Sequence, residues 1–501
     1  FRMIFLTILL LLIGYALLRM WLTRKSLPPG PIPIPFVGNL HQLAYKIMVE
    51  KKDFAGSMRD FVKDYGSVHT FWFGPVATVQ ICDYPSAVEA MIKNGSAFVN
   101  RALPFLFETS RGGRGILASK DSFWTEQRRF SLHTLRNFGL GRNIIEERIM
   151  YELDFTCEEL QKQMVDGQVS LDPNHLFDLL VGNIINRILF GERFEKHEEE
   201  KFFGLKSKLD NIFDDFKTYD VLINKWTVSF PPLRRRAEQL LKPQNDLMDF
   251  LANQVEKRKK DIAEGLHSLE GEGNDFVDAF LIQMEKNKKL GLQTSFDDES
   301  LTHTLLDLWA AGQETTATTL KWAFAYLLLH PEVTSKAVQE LRSVTHSNRP
   351  LSLADRTNTP YFNAVLTEIH RCAAIFPMNL SRRTEGDTPV GKYTIPDGTS
   401  VNVQLALIMS DTAYFPDFAE FNPDRYMTGQ KLEEQVIPFG IGRRACLGES
   451  LARAELYLII GNLLLRFDIS TNPDHAPMDK AKSVFGVVRK VSPYHIVFSR
   501  S

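Results

Sequence analysis

Pro438-Phe439-Gly440-Ile441-Gly442-Arg443-Arg444-Ala445-Cys446-Leu447-Gly448 is the most specific stretch of this 501-residue chain. Gly440 and Gly442 allow a tight turn with close backbone approach. From Leu447 onward the pattern is helical, which predicts Cys446 at a helix N-terminus, where backbone N–H groups favour an anion. Arg443 and Arg444 add positive charge. A metal-binding thiolate needs a lowered pKa and donors aimed at its sulfur, and the stretch offers candidates for both. The same residues also suit a glycine turn before a helix that carries a buried cysteine. The residues alone leave both readings open.

The other cysteines, Cys82, Cys157 and Cys372, form no CxxC pair, which argues against a zinc ribbon or a redox dithiol. So few and so widely spaced, they do not resemble a disulfide framework, and the folded part is read as facing a reducing compartment. A formal net charge of -2 excludes a polyanion-binding role for the chain as a whole. With 44% hydrophobic residues there is ample material for a large core.

Around that stretch, helical periodicity dominates. Asp121 to Leu135, Asn143 to Met164, Leu176 to Phe190 and Asn245 to Ala263 carry apolar residues at three-to-four spacing. The longest pattern, Glu299 to Leu329, stops before Pro331 and would cross roughly 45 Å at the α-helical rise. Glu264 to Asn274 is polar and reads as a loop. Val68 to Asp83 reads as a β-hairpin around Gly74-Pro75, and strand signals return at Gly391 to Val403 and Val484 to Phe498. The expected fold is one large domain, mainly α with small β-sheets gathered at its two ends.

The N-terminus differs in kind. Met3 to Leu18 is uncharged, and continued to Leu22 it would span roughly 30 Å as a helix, the thickness of a bilayer core. Arg19, Arg24 and Lys25 then cluster, which places the remainder on the cytosolic side of a membrane. A cleaved signal peptide is the alternative, but no small-x-small cleavage site follows. Five prolines in the nine residues Leu27–Pro35 predict a stiff extended linker. The expected divisions are therefore an anchor over 1–22, a basic and proline-rich linker over 23–35, and a catalytic domain over 36–501.

The Cys446 segment matches F-x-x-G-x-R-x-C-x-G at every fixed position, and in this it resembles the haem-binding loop of the cytochrome P-450 superfamily. Other segments follow that family's order. Glu368-Ile-His-Arg371 resembles its E-x-x-R pair, with positions i and i+3 on one helix face. Phe421-Asn-Pro-Asp-Arg425 resembles the segment whose arginine completes that network, and Ala311-Gly-Gln-Glu-Thr-Thr316 resembles the oxygen-activating stretch of its longest helix. Trp124-Thr-Glu-Gln-Arg128 resembles its W-x-x-x-R, and the run that follows, to Gly141, is similar to the microsomal drug- and lipid-metabolising group. The resemblance runs from the anchor to the C-terminal strands. It departs at Met378-Asn379-Leu380-Ser381-Arg382, which ends more basically than is usual.

This resemblance implies a cytochrome P-450 fold and a monooxygenase that inserts one atom of O2 into a lipophilic substrate. Cys446 would be the axial thiolate of haem b, Arg444, Arg128, Trp124, Arg101 and Arg382 would contact the propionates, and Phe439 would lie in the haem loop. Thr315 would hydrogen-bond the bound oxygen while Glu314 relays protons; a bend at Gly312 would open a groove for it. Glu368 and Arg371 would be structural. Family-aligned pocket positions are Leu103, Phe105, Phe107, Phe202, Leu205, Leu209, Ile212, Phe213, Ala310, Ala311, Ile375, Leu380, Phe485 and Val487, and Asp307 would contact substrate or anchor a loop. No GxGxxG or phosphate loop for NADPH or flavin is present. Electrons would therefore come from NADPH–cytochrome P-450 reductase, with cytochrome b5 as a further partner, at the endoplasmic reticulum membrane with the domain on the cytosolic side. Arg129, Arg136 and Arg443 would form the docking face, the alternative being ordinary solvated arginines. Two rival functions are a peroxide-rearranging enzyme and a non-catalytic haem binder. Intact Glu314-Thr315 argues against the first, and the full set of Cys446, Thr315, Glu368 and Arg371 argues against the second.

Overall fold

A computed structural model describes residues 2–139, 144–217, 220, 222–477, 483–484 and 488–500. The chain opens with α1 (Arg2–Ser26). Among the described residues no helix is long and apolar enough to cross a membrane. Several side chains of the apolar N-terminal run lie outside the described residues. The proline-rich segment that follows is not a free spacer. Thr70 donates through Oγ1 to the Pro28 carbonyl at 2.8 Å and through its amide to that of Pro29 at 2.9 Å. Asn39 joins the Pro31 carbonyl to the Trp72 amide. A Cβ on Gly30 would fall 1.9 Å from the Thr70 carbonyl oxygen, so only glycine permits this approach.

Next come α2 (Leu40–Met48), α3 (Phe54–Tyr65) and the expected hairpin, β1 (Val68–Phe73) with β2 (Val76–Ile81), paired from Val68↔Ile81 to Phe73↔Val76. Beyond α4 (Tyr84–Val88) a π-helical turn covers Glu89–Lys93, and α5 (Phe105–Arg111) leads into a loop before α6 (Asp121–Gly139). Then follow α7 (Ile144–Gln163), β3 (Gln168–Leu171) and α8 (Pro173–Phe190). The predicted start of α7 at Asn143 lies outside the described residues. α9 (Glu199–Asp214) precedes α10 (Pro231–Ala263), which begins fourteen residues before the sequence pattern does. Pro243 sits inside α10 and breaks the periodicity, but the helix carries through it, packed on α9 and on the long helix described next.

After α11 (Phe276–Lys289) comes α12 (Asp298–Leu329), the axis of the molecule. The Asp297 side chain caps it by accepting from the Ser300 amide, and Pro331 ends it and opens α13 (Pro331–Thr345). α14 (Pro360–Ala373), short strands β4 (Arg382–Arg383), β5 (Thr388–Val390), β6 (Tyr393–Ile395) and β7 (Ser400–Val403), and α15 (Leu405–Ile408) lead to the Cys446 loop. α16 (Glu449–Arg466), β8 (Phe467–Thr471), β9 (Ser483–Val484), β10 (Lys490–Val491) and β11 (Ile496–Arg500) complete the chain.

One sheet has the order β1-β2-β7-β4, with β2 and β7 parallel; another, β3-β11-β8, closes the C-terminus on the middle of the chain. β3 and β8 carried no recognisable signal, because short half-exposed edge strands hold too few apolar residues to alternate clearly. α12 packs against α8, α9, α10, α14 and α16, and Trp309, Trp322 and Phe324 on it are almost wholly buried. The fold is mainly helical, as the periodicity predicts.

Candidate functional site

The loop before α16 folds tightly. Gly440 and Gly442 take φ of +68° and +83°. A Cβ on Gly442 would meet the Met91 carbonyl oxygen at 2.1 Å, so the π-helical turn Glu89–Lys93 abuts the loop through glycine alone. The Cys446 amide donates to the Phe439 carbonyl at 2.9 Å, closing the turn. Cys446 precedes the first residue of α16 by three positions rather than capping it, and Gly448 takes the cap. All four cysteines are free. Burial pushes the Cys446 thiol above its ordinary value; the Gly448 amide and Arg128 pull the other way, and Glu449 adds to the rise. The lowered thiol pKa expected from the loop is therefore not supplied by its surroundings. Yet the residue is accessible to solvent, so a sulfur walled in by protein opens onto empty space.

Four arginines gather beside the loop. Arg444 donates to the carbonyls of Val99 at 2.9 Å and Ile116 at 3.0 Å, and lies 4.0 Å over the Trp124 ring. Arg128 donates to the Ala445 carbonyl at 2.7 Å, next to the thiol. Arg101 and Arg382 form a β-bridge, and both donate to the Leu380 carbonyl. Among the described residues none of the four meets a carboxylate. Burial drives Arg382 and Arg444 down to about 9, with Arg382 and Arg128 adding repulsion at Arg444. Trp124 Nε1 is buried without a partner. Buried like charges and an orphaned donor beside one loop call for an anion.

Opposite stands α12. Between Ser300 and Leu329 Ala311 alone is exposed, and Thr315 one turn on is half-buried, so these two are accessible positions on the middle of the helix. Thr315 Oγ1 donates to the Ala311 carbonyl at 2.7 Å, and Thr319 repeats the pattern with Thr315 at 2.8 Å. The helix stays α-helical through Gly312, whose missing Cβ admits Ile185 of α8, 2.9 Å from where it would stand. Gly312 thus serves close packing of α12 on α8. Glu314 is buried: Lys206 of α9 stands 3.0 Å from its carboxylate and Lys490 of β10 3.3 Å. No hydrogen bond joins it to Thr315 among the described residues.

The chain is similar in sequence to known proteins. The family described as Cytochrome P450 matches residues 28–498. Probable cytochrome P450 cyp-35D1 of Caenorhabditis elegans is 37% identical over 95% of this chain and 97% of its own length. Cytochrome P450 2C23 of Rattus norvegicus is 33% identical over 96% and 95%, and cytochrome P450 2A6 of Homo sapiens 32% identical over 99% and 96%. The chain belongs to the cytochrome P450 family. It is thus a P450 monooxygenase, of a family that uses haem b with O2 and NADPH-derived electrons. The residues fit that group: an accessible thiol on one wall, and uncompensated arginines where two propionates need cations.

The remaining P450 residues sort as follows. Arg371 grips Glu368 bidentately at 2.8 Å per bond, and Arg425, Tyr426 and the Asn422 amide fill the other lone pairs. Burial pushes the Glu368 carboxyl up, but the hydrogen bonds and charge of Arg371, the Asn422 amide and the Arg425 charge together outweigh it and hold the group below the usual carboxylate range. Phe439 lies between the His370 ring, edge-on at 5.1 Å, and the Arg453 guanidinium at 4.9 Å. Asp307 anchors a loop: its Oδ2 accepts from the amides of Ile116 and Leu117, and Arg111 pairs with Oδ1 at 3.2 Å.

Not every pocket expectation holds. Phe202 fills the space over Gly182 and packs on Phe194 and Phe203, and Leu209 is wholly buried in the same core. Phe485 and Val487 lie outside the described residues. Leu103, Phe105 and Leu380 line a cavity of about 2,020 Å³ that also meets α1 and Arg101. Neither Cys446 nor Thr315 lines it, so it is separate from the thiol. Arg129, Arg136 and Arg443 are exposed. Sequence reading missed Lys206, Lys490 and Tyr426, whose partners Glu314 and Glu368 are distant in the chain.

Proposed function

We propose that Cys446 is the sole protein ligand to the haem iron, and that the chain hydroxylates or epoxidises a lipophilic substrate: a fatty acid, a steroid or a foreign compound. The observation that carries this is an accessible thiol beside the buried Arg101, Arg382 and Arg444 and the half-buried Arg128, none of which meets a carboxylate among the described residues. Arg101, Arg128, Arg382, Arg444 and Trp124 hold the propionates, and Phe439 packs in the haem loop. With Cys446 as its ligand, bound haem would supply activation of O2.

The protein's part is proton management and exclusion of water. Thr315 Oγ1, parked on the Ala311 carbonyl, is accessible and can turn away from it to donate. Glu314, held between Lys206 and Lys490, relays a proton toward it on release from those lysines. Leu103, Phe105 and Leu380 make the separate cavity beside α1 apolar, which supports a lipophilic guest approaching from that side.

Electrons reach the site from NADPH–cytochrome P-450 reductase, and cytochrome b5 is a second donor, docking on the exposed Arg129, Arg136 and Arg443. α1 leaves Leu11, Tyr15, Leu18 and Trp21 uncovered, which supports residues 1–22 as an endoplasmic reticulum anchor ahead of a cytosolic catalytic domain over 36–501. The test is the ferrous–carbon monoxide spectrum. Cys446→Ala abolishes its red-shifted Soret band; a surviving band refutes the assignment.

A further inference from the structure

Glu455 stands apart from the other buried carboxyl groups. It lies six residues into α16, about 9 Å along the helix from Glu449 at the α-helical rise. It is 2% exposed. Its hydrogen-bond partner is Thr316 Oγ1 on α12, at 3.0 Å, the residue after Thr315. Among the described residues no lysine, arginine or histidine is within ion-pair distance of it. Its buried counterparts all have one: Asp178 has Lys321, Glu152 has Arg187, Asp278 has Arg258, Asp307 has Arg111 and Glu368 has Arg371.

The charged groups of the elements packed on α16 are engaged elsewhere. Asp154 of α7 pairs with Arg466, Lys321 of α12 with Asp178, and Asp468 of β8 with Arg342 of α13. Glu340 of α13 accepts from the Tyr361 and Phe362 amides, Glu368 of α14 holds Arg371, and Asp355 in the turn Leu353–Asn358 holds Arg349. An ionised carboxylate with one neutral hydrogen bond is costly in such a place, and the group neutralises instead. Burial accordingly pushes Glu455 up to about 8, against the modest downward pull of Thr316.

We infer that Glu455 is carried as a neutral acid whose proton is linked to the charge on the haem: an added electron tightens its hold on the proton, and loss of the proton disfavours the electron. The inference rests on the reading that Cys446 holds the haem. The electron comes from the reductase and the proton, bound at a Glu455 carboxylate oxygen, comes from solvent. No bond to iron is made or broken by Glu455. In a protein interior of effective dielectric about 20, a charge on one buried group shifts the ionisation of another across the width of a neighbouring element. Glu455 bridges the helix that follows the thiol loop to the helix that bears Thr315, so it sits where such coupling is felt.

The experiment is a spectroelectrochemical titration of the full-chain holoprotein from about pH 6 to 9, bracketing a carboxyl raised far above its ordinary range. The wild-type midpoint potential falls as pH rises through the Glu455 range, and the Glu455→Gln potential stays level there. Thr316→Val, which removes the one group favouring the ionised form, moves the fall to higher pH. Reduced-minus-oxidised infrared spectra show a protonated-carboxyl band that the glutamine variant lacks. A level wild-type potential, or a Glu455→Gln curve matching wild type, overturns the inference. If the glutamine variant does not fold, an unshifted Thr316→Val curve overturns it. Failure of the Cys446 reading is distinguishable, because the wild type would then lack the red-shifted carbon monoxide complex altogether.

Discussion

At the residue scale, the charge network around Glu368 and the hydroxyl of Thr315 make opposite predictions. Glu368 satisfies Arg371, Arg425 and Tyr426 at once, all in the interior. Glu368→Ala leaves two guanidiniums uncompensated, at a cost of about 3–5 kcal/mol. The expected result is little holoprotein, measured as carbon monoxide difference absorbance per mole of chain. Thr315→Ala, by contrast, loses one hydrogen bond to Ala311 on a half-buried surface and folds normally. It should consume NADPH while product per NADPH falls and hydrogen peroxide per NADPH rises; an unchanged product yield removes Thr315 from proton delivery. The E-x-x-R spacing made the first pair legible because both partners lie on one helical turn. Lys206 and Lys490 were illegible: each reaches Glu314 from another element, more than a hundred residues away in the chain.

At the element scale, the proline-rich segment divides the N-terminus differently from its composition. Leu27–Pro35 is part of the body, because Thr70 and Asn39 bond to the Pro28, Pro29 and Pro31 carbonyls. Deleting residues 1–26 should leave the ferrous–carbon monoxide spectrum intact, with residual membrane attachment. Deleting 1–35 removes three such bonds, worth about 1 kcal/mol each, and should lower the urea midpoint accordingly. Equal stability of the two truncations would refute this docking. Periodicity found the hairpin and the long helix because each is a local pattern. It misplaced the start of α10, where Pro243 interrupts a helix that tertiary packing sustains. It read Gly312 as a weak point, whereas the glycine serves the neighbouring α8.

At the scale of the whole molecule, two interior histidines set an acid limit. Burial lowers His69 to about 4, despite the Gly66 carbonyl, and lowers His370 to about 3, with Arg453 and Arg356 adding to the effect. The folded chain therefore binds fewer protons than the unfolded one between the ordinary histidine value and these values. Stability is fully present above about pH 6.5 and is lost as pH falls toward 4 and then 3. Urea unfolding at successive pH values checks this, and replacing both histidines with glutamine should flatten the acid limb. The haem wall has a consequence of another kind. Arg101, Arg128, Arg382 and Arg444 are brought together by segments spread over most of the chain, and among the described residues no carboxylate pairs with them. A newly made chain is thus electrically unfinished until its prosthetic group arrives, and the group's binding is itself folding free energy. How much of this protein escapes a cell's proteases then depends on haem supply as well as on how much of it is translated.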